Sequence, residues 1–559
     1  MPDAFLTQRF ARLSASIKAP LTLGVSAARA PITLILWVAA FVTLFTNYRF
    51  FSEFLAIYPL TAMNLVFVVS TTLVLIALTA LLLGLVCIGP LLKPLLIAAL
   101  MVSANTAYFM DTYHVIIDDV MLDNLLQTDS AEALDLLSFW QAVYCVILGL
   151  LPSLFIARVP IARRPTRRYP LVQAALRRVG FVASCLAAIA ALLLSQGSSY
   201  ASFFREHKDV RFYANPSYTF YSAATLVSGL FERATRPFEH IGLDAVRTTR
   251  SERRRLVVMI VGETLRSDHL ALNGYIRDTT PLLAARGVSS FTDLWSCGTS
   301  TAVSVPCMFS FLGHDDYSQA EALATDNALD VVQRTGVRVA WFDNNSDSKG
   351  VAPRLPNFDF KDPEVNPRCD IECRDIGMTA GLANYVQQRP DGDLLIVMHA
   401  MGNHGPAYYK RYPSEFERFT PTCRTNQLES CSREEIINAY DNAVLYTDYF
   451  LASTIDWLAT VEDEFDTAMV YIGDHGESLG EGNLYLHGLP YAFAPDIQKR
   501  VPLITWFGAN WPQHDELVER INSRRHTQAT HDSVSHTLLG LFDVSTTLYD
   551  PEADLFGKP

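Results

Sequence analysis

Five apolar runs fall within the first 200 residues of this 559-residue chain, and each is long enough, or nearly so, to cross a hydrocarbon core of about 30 Å. They are Pro31 to Asn47, Asn64 to Cys87, Leu91 to Met110, Phe139 to Ala157 and Val179 to Leu194. The first and last are short, and either alone would also suit a buried helix of a soluble protein. The flanking charges favour spans. Arg9, Arg12, Lys18 and Arg29 precede the first run, and Arg158, Arg163, Arg164, Arg167, Arg168, Arg177 and Arg178 lie around the fourth-to-fifth connection with no acidic residue among them. Basic loops stay cytoplasmic. Between the third and fourth runs stand Asp111, Asp118, Asp119, Asp123, Asp129, Glu132 and Asp135 without one Lys or Arg. Five spans, with the N-terminus inside and the C-terminus outside, satisfy every loop. A cleaved signal peptide is the competing account of the first run, but about 30 residues precede it and further spans follow, so an uncleaved helix is expected.

Composition narrows the function classes. Half the residues are hydrophobic and 18% are charged, which excludes a disordered chain. The balance of 45 basic against 58 acidic residues, net −13, disfavours a protein that must neutralise nucleic-acid phosphates. Cys87, Cys145 and Cys185 lie in apolar runs, where a thiol acts as a small hydrophobe. The other six, Cys297, Cys307, Cys369, Cys373, Cys423 and Cys431, follow the last run and form three close pairs along the chain. In an exported domain these read as disulfides, each closing a short loop. A zinc finger is the weaker reading, because C-x3-C lacks a matching second pair. Tyr200 to Phe238 interleaves Phe203, Phe204, Phe212, Tyr213, Tyr218, Phe220 and Tyr221 with Arg205, Lys208 and Arg211, a pattern suited to bilayer headgroups or, more plainly, to a buried linker. The expected organisation is a transmembrane domain over 1–197 with an acidic loop at 111–138, an interfacial linker over 198–250 and an exported α/β domain over 251–559.

From about Glu252 onward, short β-branched runs alternate with helical stretches, as in an α/β sheet with helices on both faces. Strands are expected at Leu256 to Val261, Arg338 to Phe342, Leu394 to Met398, Ala468 to Ile472 and Leu503 to Phe507. Ligands of such sheets bind beyond the carboxyl ends of the strands. The first strand runs into Gly262-Glu263-Thr264, the second into Asp343 to Ser346, the third into His399 to His404, and the fourth into Gly473-Asp474-His475-Gly476-Glu477. Singly, a Glu after a strand is usually solvated and an Asp-His pair is usually structural. Glycines bracketing Asp474-His475 sharpen the signal, since they let backbone approach a ligand. Glu263, Asp474 and His475 make a mixed oxygen and nitrogen set that suits zinc with one position open. An oxygen nucleophile would fill that position, and the loop from Cys297 to Cys307 offers four hydroxyls, Thr299, Ser300, Thr301 and Ser304. A metal acidifies a bound alcohol as it does water; chemistry alone leaves the choice among the four open.

The stretches GETLRSDHLALNGY (Gly262 to Tyr275), CGTSTAVSVPCMFS (Cys297 to Ser310), DNNSDSKG (Asp343 to Gly350), MGNHGPAYYKRYP (Met401 to Pro413) and GDHGESLGEGNLYLHG (Gly473 to Gly488) resemble those of the phosphoethanolamine transferases that modify lipid A, colistin-resistance enzymes among them, in the alkaline phosphatase superfamily. The likeness covers nearly the whole chain. It implies an alkaline-phosphatase or sulfatase-like catalytic domain, a catalytic zinc on Glu263, Thr301, Asp474 and His475, and Thr301 as nucleophile. It places His404 and His487 near the phosphate, where some members hold a second zinc, and Ser346 and Lys349 among substrate contacts. In the acidic loop it matches Asn124, Thr128 and Glu132 to residues lining the donor headgroup; spaced four apart, they are expected on one helix face, where a solvated face is the bland alternative. The implied reaction moves phosphoethanolamine from phosphatidylethanolamine through Thr301 to lipid A, in a bacterial inner membrane with the catalytic domain in the periplasm. The product's amine would weaken binding of polymyxins, and the chain is expected to act as a monomer. A sister reading transfers to the lipopolysaccharide core or another glycan. A non-catalytic lipid-binding or sensory protein has no need of the intact Glu263, Thr301, Asp474 and His475 set, and a sulfatase would need C/S-x-P-x-R, whereas Ser304-Val305-Pro306 is followed by Met308 where Arg is required.

Overall fold

The computed structural model describes residues 30–128, 135–161, 170–207, 209–249 and 253–557. Arg9, Arg12, Lys18, Arg29, Asp129, Glu132, Arg163, Arg164, Arg167, Arg168, Lys208 and Glu252 lie outside them. The chain divides into two compact units: Met1–Ala107 with Val143–His207 and Asn215–Ser217, and Tyr108–Ala142 with Lys208–Ala214 and Tyr218–Pro559. The division does not follow chain order. The acidic 111–138 segment, grouped with the membrane domain on sequence, falls in the second unit, where Ile116 packs with Phe212, Leu489 and Ala494.

Among the described residues, four helices are long and apolar enough to cross a membrane: Leu65–Val86, Gly89–Tyr113, Phe139–Arg158 and Val172–Ser195. The first expected span, Pro31 to Asn47, is part of a bent pair, Pro31–Phe45 and Tyr48–Ile57, at 61°. Polar side chains account for the break. Thr46 Oγ1 and Asn47 Nδ2 both donate to Val42 O, at 2.8 and 3.1 Å, and Asn47 also clasps Asn215 through Nδ2 to O at 2.6 Å and Oδ1 from N at 2.8 Å. Buried polar groups at apolar depth need partners, and this reciprocal pair supplies them to the Asn47 side chain and the Asn215 backbone where the helix ladder stops.

The second unit is built on eight strands: β1 Arg254–Gly262, β2 Ser289–Trp295, β3 Arg338–Asp343, β4 Asn357–Asp359, β5 Leu394–His399, β6 Phe465–Gly473, β7 Arg500–Phe507 and β8 Ala529–Thr530. Their order is β8-β2-β7-β6-β1-β5-β3-β4. All five expected strands are present. The β6-β1-β5-β3-β4 block is parallel, while β7 runs antiparallel to both β6 and β2. Val257, Met259 and Val261 of β1 and Ala468, Val470 and Ile472 of β6 pack with Val305, Leu329 and Leu538 from helices Thr301–Phe309, Ala328–Arg334 and Ser533–Leu541. Alternation turns the other residues of β1 and β6 to the opposite face. The long helix Arg433–Ala459 packs against β6 and starts with a capping box in which Ser432 and Glu435 satisfy each other's backbone donors.

Disulfides join Cys297 to Cys307, Cys369 to Cys373 and Cys423 to Cys431, the three expected pairs. The Cys423–Cys431 bridge closes a loop of sequence separation 8 ahead of the long helix. Cys423→Ser is expected to cost about 2–3 kcal/mol by freeing the unfolded chain, read as a lower midpoint in thermal unfolding with transfer activity retained below it.

Candidate active site

Register brings the chemistry together. Gly262 at the end of β1 pairs with Gly473 at the end of β6, so the next residues, Glu263 and Asp474, emerge side by side. Gly262 has no room for a side chain, since a Cβ there would lie 1.9 Å from Tyr471 Oη, and Gly473 is tightly enclosed, a Cβ there lying 3.0 Å from Val501 Cβ. On the other flank Val261 pairs with His399 of β5, and His399 with Asp343 of β3, which places the loops carrying Asn345 and His404 at the same edge.

Glu263, Asp474 and His475 are all fully buried. Thr301 Oγ1 donates to Glu263 Oε2 at 3.0 Å and lies 3.3 Å from His475 Nε2. His475 Nδ1 is 3.0 Å from Gly476 O; a carbonyl can only accept, so Nδ1 carries the proton and Nε2 presents a lone pair. That lone pair faces Glu263 Oε1 and Asp474 Oδ2, each at 3.4 Å, and neither of those oxygens has a hydrogen-bond partner among the described residues. Three acceptor atoms therefore converge in a fully buried site without a hydrogen-bond donor among the described residues to pair the two carboxylate oxygens, an arrangement that calls for a cation. Burial and the nearby His487 push His475 down to about 3, in keeping with a neutral ring. Burial opposes charge on both carboxylates, and burial together with the Glu263 charge pushes Asp474 well above the usual carboxylate range. The ligand atoms of Glu263, Asp474 and His475 fall within 4.8 Å of one another, and so do those of Glu263, His404 and His487. The donor set fits one zinc at the first group.

Of the four candidate hydroxyls, only Thr301 reaches this cage. Thr299 Oγ1 donates to Leu489 O at 2.6 Å and Ser304 Oγ to Ser300 O at 3.0 Å, while Ser300 Oγ is buried and has no partner among the described residues. The Cys297 to Cys307 stretch is not a loop throughout: Thr301 opens the helix Thr301–Phe309, so its hydroxyl sits at the positive end of the helix dipole, a setting that favours phosphate. The His487 ring lies 4.3 Å from His475 and 5.7 Å from His404 between centroids. Arg411 Nε holds His404 through its carbonyl at 2.7 Å.

The acidic loop contributes the helix Asp119–Gln127, capped by Asp118 Oδ1 accepting from Met121 N at 2.8 Å and packed against the Thr301–Phe309 helix. Lys349 is buried, and its Nζ donates to Gln127 O at 3.3 Å. Ser346 Oγ donates to Asn345 Oδ1 at 3.0 Å. The expectation of one helix face for Asn124, Thr128 and Glu132 is corrected: the helix stops at Gln127 and Thr128 is extended, its hydroxyl donating back to Asn124 O at 2.8 Å. This bond satisfies a terminal carbonyl and ends the ladder. Glu132 lies outside the described residues.

Two buried groups escaped the sequence reading. Asn345 Nδ2 donates to Glu263 Oε2 and Ala400 O, both at 2.9 Å, and Glu477 Oε1 lies 3.2 Å from His487 Nδ1. The available signal is that both fall in the segments following β3 and β6, beyond Asp343 and Gly473, at the sheet edge that also carries Glu263 and Asp474.

A mixed sheet with carboxylates and imidazoles at the carboxyl edge of its parallel strands, facing a helix-terminal alcohol, defines a phosphotransfer or sulfate-transfer enzyme fold. Comparison gives the same class: the Sulfatase family matches residues 255–544, and the family described as Phosphoethanolamine transferase EptA/EptB matches residues 75–230. The chain is 46% identical to phosphatidylethanolamine transferase Mcr-2 of Escherichia coli, over 92% of this chain and 95% of that protein, and 38% identical to phosphoethanolamine transferase EptA of Salmonella typhimurium, over 82% and 83%. The integral membrane lipooligosaccharide phosphoethanolamine transferase A from Neisseria meningitidis superposes with a TM-score of 0.87 at 34% identity, covering 94% of this chain and 98% of that one. The chain belongs to the phosphoethanolamine transferases of the EptA and Mcr type, membrane enzymes of the alkaline phosphatase superfamily.

Proposed function

We propose that this enzyme transfers phosphoethanolamine from phosphatidylethanolamine to a phosphate of lipid A through a covalent adduct on Thr301, in a bacterial inner membrane with the catalytic domain in the periplasm. The observation that carries the reading is the Thr301 hydroxyl held 3.0 Å from Glu263 and 3.3 Å from His475 at a helix N-terminus. A zinc ion on Glu263, Asp474, His475 and the Thr301 oxygen would supply a Lewis acid that lowers the pKa of that hydroxyl and offsets charge on the phosphoryl oxygens. Thr301 Oγ1 gives up its proton and attacks phosphorus, the bond to the glycerol oxygen breaks, and diacylglycerol leaves as the alcohol, taking up one proton in place of the one Thr301 lost; His404 or His487 moves that proton or orients charge. Lys349 offsets the negative charge of the transferring group, and Asn124, Thr128, Glu132 and Ser346 contact the donor headgroup, Glu132 pairing with its ammonium. An oxygen of a lipid A phosphate then attacks the adduct and restores Thr301.

Homologues named for phosphatidylethanolamine and for lipooligosaccharide support the donor and acceptor. The three disulfides in the second unit suit an oxidising periplasm, and membrane spans suit two lipid substrates. The added amine reduces negative charge on the outer surface and so lowers affinity for polymyxins. Mass spectrometry of lipid A and of the separated core from a Gram-negative host expressing the protein tests the acceptor. A phosphoethanolamine increment on lipid A is expected; an increment confined to the core would replace the acceptor with a core sugar.

A further inference from the structure

We infer that Thr299, two residues before the nucleophile, is a positioning residue that sets His487 against the reacting group. The segment Gly480 to Gly488 is unusual in its backbone. Gly480, Gly482, Asn483, Leu486 and Gly488 all have positive φ, at 99°, 58°, 64°, 63° and 85°. Asn tolerates this region, but Leu does not, and a residue held there persists only where its surroundings over-determine it. Leu486 immediately precedes His487, so the strain lies where the imidazole leaves the chain.

Two side chains pin this turn. Thr299 accepts from Gly488 N through its carbonyl at 2.8 Å and donates from Oγ1 to Leu489 O at 2.6 Å, so both bonds fall on the two residues following His487. Gln498, fully buried, donates from Nε2 to Leu486 O at 3.0 Å and to Ser478 Oγ at 2.8 Å, and accepts from Leu489 N at 3.4 Å. Gln498 thus anchors the turn to the strand region behind it, whereas Thr299 ties it to the short connection that carries Thr301. The result is a fixed spacing between the nucleophile and the imidazole, whose ring rests 4.3 Å from that of His475. Thr299 is 5% exposed and its hydroxyl is engaged with Leu489 O, which separates its role from that of Thr301.

The inference rests on the transfer reading above, and the experiment keeps the two apart. Full-length enzyme in detergent is assayed for release of diacylglycerol from phosphatidylethanolamine as wild type, Thr299→Val, Thr299→Ser, His487→Ala and the Thr299→Val/His487→Ala double variant. Valine keeps the volume and loses the hydroxyl; serine keeps the hydroxyl. The expected result is a kcat about tenfold lower for Thr299→Val with KM for phosphatidylethanolamine within about twofold of wild type, and recovery in Thr299→Ser. In the His487→Ala background the valine substitution is expected to cost nothing further, since coupled residues are not additive. Losses that multiply in the double variant, or a wild-type rate in Thr299→Val, would overturn the assignment. Absence of diacylglycerol release by the wild-type enzyme would instead count against the transfer reading itself.

Discussion

Thr301→Ala should abolish phosphoethanolamine transfer, with a loss of about 10⁴-fold or more, while the protein still inserts, folds and binds metal. The size follows from the absence of a substitute. Thr299 and Ser304 have their hydroxyls turned to Leu489 O and Ser300 O, and only Thr301 lies within 3.3 Å of both Glu263 and His475. Alanine removes one oxygen and leaves a small space in a buried site, so stability should change little. Thr301→Ser offers the same oxygen without the β-methyl that restricts χ1, and should retain measurable transfer. The check is diacylglycerol release by purified enzyme alongside thermal unfolding; a Thr301→Ala protein with normal turnover would move the nucleophile elsewhere.

Metal removal is expected to have an effect of the same order on activity and a second effect on stability. Glu263 Oε1 and Asp474 Oδ2 are buried, face the His475 Nε2 lone pair at 3.4 Å and have no hydrogen-bond partner among the described residues. Without a cation, that cluster keeps an uncompensated buried charge, and Asp474 is driven toward its protonated form by burial and by Glu263. Dialysis against a strong zinc chelator should therefore stop transfer and lower the unfolding midpoint, and added zinc should restore both. A metal present at 1,000 times its dissociation constant contributes about 4 kcal/mol to the folded state. Full activity after verified loss of all metal would contradict the site assignment.

Much of this was legible in the sequence because the relevant features are local. Leu256–Val261 and Ala468–Ile472 are continuous apolar runs, as strands buried on both faces require, and each is followed, after one glycine, by its functional residue. Strand β2, Ser289–Trp295, was not expected: SSFTDLW mixes polar and apolar residues, and its place beside β7 depends on long-range pairing. The break at Asn47 depends on Asn215, 168 residues away. The same limit applies within the site. Four hydroxyls between Cys297 and Cys307 are equivalent on paper; geometry separates them because Thr301 meets Glu263 and His475 while Leu489 O and Ser300 O take the hydroxyls of Thr299 and Ser304. Glu477 and Asn345 resemble solvated turn residues until the sheet edge buries them against His487 and Glu263. The end of the acidic-loop helix at Gln127 is likewise set by a Thr128 hydroxyl turning back on Asn124 rather than by a breaker residue.

The most direct test of the central claim is peptide mapping by mass spectrometry of the enzyme after exposure to phosphatidylethanolamine without acceptor. The account predicts a phosphoethanolamine increment on Thr301 that disappears when lipid A is added, in step with its appearance on lipid A. An adduct on Thr299, Ser300 or Ser304, or continued turnover with an adduct on none of these residues, would contradict it.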